Sequence, residues 1–387
     1  MPLLSRKRLI LAEIEGTYGT DPTPTGSEAV LVRNLEITPI EAETVSRDLI
    51  RPYLGNSTQL LSNTRVSITF EAELAGSGSA GTASKLDALL RSCGLAATTT
   101  AAAVTGSAQA GAAGSITLAA GASATNNIYN GMVISITSGT GSGDKGIITA
   151  YNGTTKVATV RKTTTAFTPG ASSAYSISAN VGYKPVSESF ESCTIYFNNS
   201  GVLHKATGCR GTFNLNCEVG QIPVISFTMT GIYNAPTDTA APAVTYADQA
   251  TPVIFKAGNT LGVSILGYAS ACVQSLSFDI ANEVIYRELV GCTKTVSITN
   301  RAPSGTAVIE APTIAEKDYF TIANDDTTGL VSFQHGTTAG NIVTLLAPTV
   351  DIGNPSYSDQ DGIQMLNLPY VAIPSSAGND ELTLTFQ

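Results

Sequence analysis

Residues 30–40 read VLVRNLEITPI. Val32, then Leu35 and Ile37 alternate with polar neighbours, the period-two pattern of a strand with one face buried. The pattern returns as VQSLSFDI at 273–280, aligning Val273 with Val32, Leu276 with Leu35 and Phe278 with Ile37. A shared phrase follows each copy. ETVSRDLI (43–50) and EVIYRELV (283–290) both fit E-x-x-x-R-[DE]-L-[IV], with Glu43/Glu283, Arg47/Arg287 and Asp48/Glu288 in step. RVSITF (65–70) is then matched by TVSITN (295–300), after a connection ten residues shorter.

A short helix is expected after each set of strands. In KLDALLRSCG (85–94), Leu86, Leu89, Leu90 and Cys93 share one helical face, and Gly94 stands where a C-cap belongs. In TIAEKDYFTIA (313–323), Thr313 and Glu316 form a capping box. Strand–strand–strand–helix therefore recurs in the same order. The expected fold is mainly β with short helices: two duplicated β-sandwich domains, each with a flanking helix.

Charged residues make up 13% of the 387, about half the usual share, while Gly, Ala, Ser and Thr abound and Trp is absent. That profile suits β-sheet with Gly-rich turns and much surface hidden in contacts. A net charge of −9 argues against a grip on nucleic acid through clustered cations, but does not exclude nucleic acid passing nearby. Acidic Glu13 and Glu15 interrupt the apolar start too early for a signal peptide, and no stretch has the ~20 apolar residues of a membrane span. The six cysteines form no tight pair, as expected of free thiols in a reducing compartment.

The texture changes near residue 96. From 96 to 180 there is one acid, Asp144, and four bases, a net of +3, which leaves −12 for the rest of a chain totalling −9. Asn152-Gly153 between β-branched runs signals a hairpin there. The expected organisation is a discontinuous first domain (1–95 and 181–233) with an N-terminal arm (1–30). An all-β module (96–180) is inserted into it, a Pro/Ala linker (234–246) follows, and a second domain spans 247–387. In the first domain the connection 51–63 is loop-like, yet it carries Tyr53, Leu54, Leu60 and Leu61, apolar residues that mark an interface when they project.

Motifs for chemistry are weak. Gly141-x-Gly143-x-x-Gly146 needs a helix after it to bind a dinucleotide, and a β-hairpin pattern follows instead. SDQDG (358–362) and the acids at 324–326 read as turns rather than a calcium loop. The two histidines, His204 and His335, sit in no hydrolase or zinc motif, so neither cofactor nor metal is expected. Glu43–Arg47 and Glu283–Arg287 allow two readings, surface ion pairs or subunit contacts at equivalent places in each copy.

Three stretches point to a family: EGTYGTDPTPTGSEAVLVRNLEITPIEAE (15–43), GVLHKATGCRGTFNLNCEVGQIPVISFTMTGIY (201–233) and DGIQMLNLPYVAIPSSAGNDELTLTF (361–386). Together they resemble the major tail proteins, or tail tube proteins, of long non-contractile-tailed phages, those of Mu-like siphophages especially. The resemblance covers roughly 1–95 and 181–387 and rests on order and texture. It implies a non-enzymatic virion protein, assembled in the host cytoplasm, whose sheets join around a ring and line a channel. Its implied partners are copies of itself, a tape-measure protein inside the tube, tail-tip and terminator proteins at the ends, and genomic DNA passing through. Single-domain members form six-membered rings, so a doubled chain implies a C3 trimer with pseudo-six-fold symmetry. The alternative is a fibre or adhesin-like binding protein.

Overall fold

The computed structural model describes residues 3–47, 49–163 and 166–387; Asp48 of the first shared phrase lies outside them. The fold is mainly β, with two short α-helices among the described residues and no helix long and apolar enough to cross a membrane. The first part of the chain forms β1 (Arg8–Ile14), β2 (Val32–Val45), β3 (Leu60–Glu73), α1 (Asp87–Ser92) and β4 (Leu95–Thr100). After residues 104–177, which make a separate seven-stranded sheet, come β5 (Asn180–Pro185), β6 (Cys193–Asn199), β7 (Val202–Glu218) and β8 (Val224–Tyr233). Beyond residues 234–246 lie β9 (Thr260–Ile265), β10 (Val273–Asp279), β11 (Asn282–Arg287), β12 (Thr295–Arg301) and β13 (Ser304–Glu310). The last elements are α2 (Tyr319–Asn324), β14 (Gly329–His335), β15 (Val343–Ile352), β16 (Ser356–Gln360), β17 (Ile363–Ala372) and β18 (Thr383–Phe386).

Eight strands make one long antiparallel sheet in the order β2–β3–β8–β7–β10–β13–β17–β16. The first four precede the 234–246 segment and the last four follow it. The pairing of β7 with β10, from Asn214↔Asp279 to Glu218↔Ser275, joins the two groups. A second layer, β9–β14–β15–β18–β5–β4, covers one face. Alternation explains the core between the layers: Val66, Ile68 and Phe70 of β3, Phe213 of β7, Phe227 of β8 and Phe278 of β10 all point inward and are buried. Each such aromatic contributes roughly 2–3 kcal/mol by burial, before entropy is counted. The Phe70 and Phe227 rings also stack at 5.4 Å.

β7 changes partners along its length and so ties the β1–β6 pair to the long sheet. Its first half pairs with β6 and its second with β8, and the register shifts between Thr207 and Arg210. Gly208, at φ +60°, makes the bend; a Cβ there would lie 2.8 Å from the Tyr18 hydroxyl. Buried Glu15 locks the same corner. Its carboxylate accepts hydrogen bonds from Gly19 N–H, Ser192 Oγ, Thr194 Oγ1 and Gly208 N–H at 2.6–2.7 Å.

Residues 104–177 bury their own core around Ile134, Ile148, Tyr151 and Tyr175. They dock on the outer side of the second layer, where Thr344 Oγ1 donates to Gly131 O and Val133 N–H donates to Gln387 Oε1. All six thiols are free, four of them buried, with Cys272 and Cys292 exposed.

Three local expectations need correction. Within 1–30, residues Arg8–Ile14 form a strand zipped to β6, because Ile10, Leu11 and Ala12 find buried places. The Thr313–Glu316 capping box closes only a turn, and α2 starts later, capped by Asp318, whose Oδ1 accepts from the Phe320 and Thr321 N–H groups. TVSITN is not placed like RVSITF. Ile37 faces Ile68, whereas Phe278, the counterpart of Ile37, faces Gly305 of β13. The shorter connection closes its hairpin early, so Val296 pairs with Tyr286 instead. The strands then break at Ala281 (φ +48°) and before Pro303.

Candidate functional site: the open face of the long sheet

The long sheet turns its other face away from the core, and the registers fix what stands there, since residues directly opposite share a face. One row reads Arg33, Glu71, Ser226, Asn214, Asp279, Ser304 from β2 to β13. The neighbouring rows hold Glu36, Thr69, Thr228 and Thr212 on one side, and Glu73, Asn216, Ser277 and Thr306 on the other. Apolar residues enter toward β17, as Val308, Pro369 and Val371. These are the polar positions of the same alternation that builds the core.

Seven carboxylates stand on this face (Glu36, Glu41, Glu71, Glu73, Glu218, Asp279 and Glu310) against the guanidinium groups of Arg33 and Arg65, a net of −5. Both cations are already occupied, Arg33 Nε with Glu71 at 2.8 Å and Arg65 Nη2 with Glu41 at 2.5 Å. Arg210 is drawn away: it donates to the carbonyls of Phe190, Glu191 and Val296 and lies 4.9 Å from the Tyr18 ring. Its burial lowers its pKa. A wall of short polar side chains with an excess of acid offers a polyanion little to hold.

At its end the sheet carries a projection. β8 stops pairing with β3 at Ile232↔Arg65, but β2 and β3 run on as a two-stranded ribbon to Val45↔Leu60. Leu60 and Leu61 are half exposed on it, and Tyr53 and Leu54 at its tip are 66% and 102% exposed. Glu43 and Arg47 sit on this ribbon and its tip, both exposed, and Glu43 Oε2 accepts from Asn63 Nδ2 at 2.9 Å. Glu283 and Arg287 are exposed on β11, which pairs only with β12 among the described residues. Among the described residues no ion pair joins Glu43 to Arg47 or Glu283 to Arg287.

Both lateral edges are open. Among the described residues β2 pairs only with β3, and β16 only with β17. β16 and β2 also run in opposite directions, because strand direction alternates across all eight. Open edges of this kind are templates for pairing with another chain.

The residues weighed for catalysis are not assembled into a site. His335 is buried, with Nδ1 3.0 Å from Thr260 Oγ1 and Nε2 3.0 Å from Val253 O, and burial lowers its pKa. The His204 ring packs beside Phe197. Gly141 and Gly143 are turn residues at positive φ leading into a strand. Among the described residues no group of three or more His, Cys, Asp or Glu is placed to hold a metal. The −12 carried outside 96–180 announces an acidic surface there, but sequence reasoning did not say which residues form it. Glu36, Glu71, Glu73 and Asp279 were visible as the polar half of each alternation, but only strand order brings them together.

Residues 5–386 match the family model described as phage tail tube protein. No curated protein matches the chain.

Proposed function

The chain belongs to the phage tail tube protein family, and on that premise we propose that three copies close a C3 ring whose rings stack into a tail tube for passing DNA. The eight-stranded sheet carries this reading: four strands from each side of the 234–246 segment are joined within the chain, and two antiparallel-compatible edges remain free. Each side then counts as one tube domain, 1–95 with 181–233 and 247–387, the 96–180 module being an insertion. Pairing β16 of one chain with β2 of the next repeats between chains what β7 and β10 do within one.

Three chains of eight strands give twenty-four. At ~4.8 Å spacing and ~40° tilt, that closes a barrel roughly 45–50 Å across at the backbone. Side chains narrow the channel, yet a nucleic-acid duplex passes with water between it and the wall. The acidic face is then the lumen, net −5 from each chain, and repels phosphate as it slides. The layer carrying the inserted module faces outward. Exposed Tyr53, Leu54, Leu60 and Leu61 meet the next ring, and Glu43, Arg47, Glu283 and Arg287 serve contacts between subunits. A tape-measure protein occupies the channel before ejection, and tip and terminator proteins cap a non-contractile tail.

The edge pairing is testable. By antiparallel alternation from the two-residue turn at 361–362, the Tyr357 N–H points away from β17, toward the open edge. Tyr357→Pro therefore removes one donor from the joint and none from the β16–β17 ladder. The expected product is folded, soluble chain that forms no rings by electron microscopy; normal rings would overturn the proposed joint.

A further inference from the structure

The end of the sheet opposite the projecting ribbon holds a cleft of about 730 Å³ that none of the roles above uses. It is built from strand ends. Glu218 is the last residue of β7, Val273 the first of β10, Glu310 the last of β13 and Ile363 the first of β17, with Asp361 in the turn between β16 and β17. Lys256 is the one base in its lining against those three acids, a net of −2. Its floor is apolar, with Phe255, Val273 and Met365. Exposed Val219 and Ile363 at its mouth leave apolar surface in water that a partner would cover.

The ribbon tip is its complement. Arg47 and Arg51 stand there without an ion-pair partner among the described residues, and Arg51 lies 5.9 Å from the Tyr53 ring. Ile50 and Leu54 are more than 100% exposed by the usual reference, as apolar as any surface residues of the chain. The tip stands on β2 and β3 at one end of the sheet and the cleft under β7, β10, β13 and β17 at the other, so stacking one ring on the next with a turn of a few strand spacings brings the tip of one copy against the cleft of another.

We propose that this cleft receives the ribbon tip of a second copy in the adjacent ring, its acids pairing with Arg47 and Arg51 while Ile50 and Leu54 cover the apolar floor. The inference rests on the stacked-ring reading, for which it names the receiving surface. The short 288–294 connection is the less suitable occupant, because its Glu288 and Lys294 already pair with each other at 3.0 Å.

The native thiol of Cys272 lies in the lining and is exposed, which gives a direct readout. Leu54→Cys, at a fully exposed position, leaves the fold alone. In assembled tubes under a mild oxidant it should link chains through Cys272 into a ladder on non-reducing gels. The ladder should vanish with Cys272→Ser and in dilute unassembled chain. Tubes that form normally without a ladder would overturn the inference, as would a Cys272–Cys292 link in otherwise native tubes, which would put the short connection in the cleft. Unmodified protein that forms no tubes at all would instead sink the stacked-ring reading. Arg51→Glu should weaken stacking, with tubes giving way to single rings, and Glu310→Arg should restore it in the double variant; failure of that rescue also counts against the pairing.

Discussion

Glu15→Gln is the sharpest test of how the β1–β6 pair is joined to the long sheet. The carboxylate takes four donors, two on each oxygen: Gly19 N–H and Ser192 Oγ on Oε2, Thr194 Oγ1 and Gly208 N–H on Oε1. Glutamine fills the same space but offers one acceptor and one donor. The hydroxyls of Ser192 and Thr194 can rotate to accept from its amide, whereas a backbone N–H cannot. In either amide orientation one of Gly19 N–H and Gly208 N–H is left facing a donor in a buried corner. Losing the charge-assisted bonds and stranding one buried donor costs about 2–4 kcal/mol. The loss falls where β7 bends from β6 to β8 and where the 15–28 segment is anchored. Assembly would mask it by mass action, so guanidinium unfolding is best followed in the Tyr357→Pro background. The expected result is a lower midpoint at unchanged slope, with faster amide exchange at residues 15–19. A loss under ~0.5 kcal/mol, or one equalled by Glu28→Gln, whose carboxylate accepts only exposed bonds from Thr25 N–H and the Thr25 and Ser27 hydroxyls, would refute the reasoning.

Two further outcomes follow from the same geometry. Thr100 pairs directly with Asn180, so replacing 101–179 by an Asn-Gly turn should leave thinner but complete tubes, the bared surface being the water-compatible Thr344, Thr383 and Thr385; a soluble, folded deletion that forms no rings would contradict this. Glu36→Lys, Glu73→Lys, Asn216→Lys and Thr228→Lys together move the open face from −5 to +1 per chain, so variant tubes should retain duplex DNA in a steeply salt-dependent way while unmodified tubes do not. Equal retention by both would rule out an acidic conduit.

The alternation of Val32, Leu35 and Ile37, and of Val66, Ile68 and Phe70, made the inward faces of β2 and β3 legible, and Leu86, Leu89 and Leu90 with Gly94 did the same for α1. Pairing was not legible. TVSITN looks like RVSITF, but its partner is set by the length of the connection before it and by the breaks at Ala281 and Pro303, which are tertiary outcomes. β1 was hidden because its place as an inner strand depends on β6, far along the chain. Glu15 read only as an interruption of an apolar run; that four donors converge on it is known only once β6 and β7 pack beside it. The acidic face was half visible, since each strand announces its polar side but not its neighbours. The cleft was invisible, being made of residues that meet only at the ends of separate strands.

The central claim, one chain in two quasi-equivalent places, is tested most directly by end-on class averages of a single ring. Because only the first domain carries an insertion, 96–180, and it docks on the outer layer, the account predicts three outward lobes around a wall of pseudo-six-fold symmetry. Six lobes around the ring would mean six full chains and would contradict it.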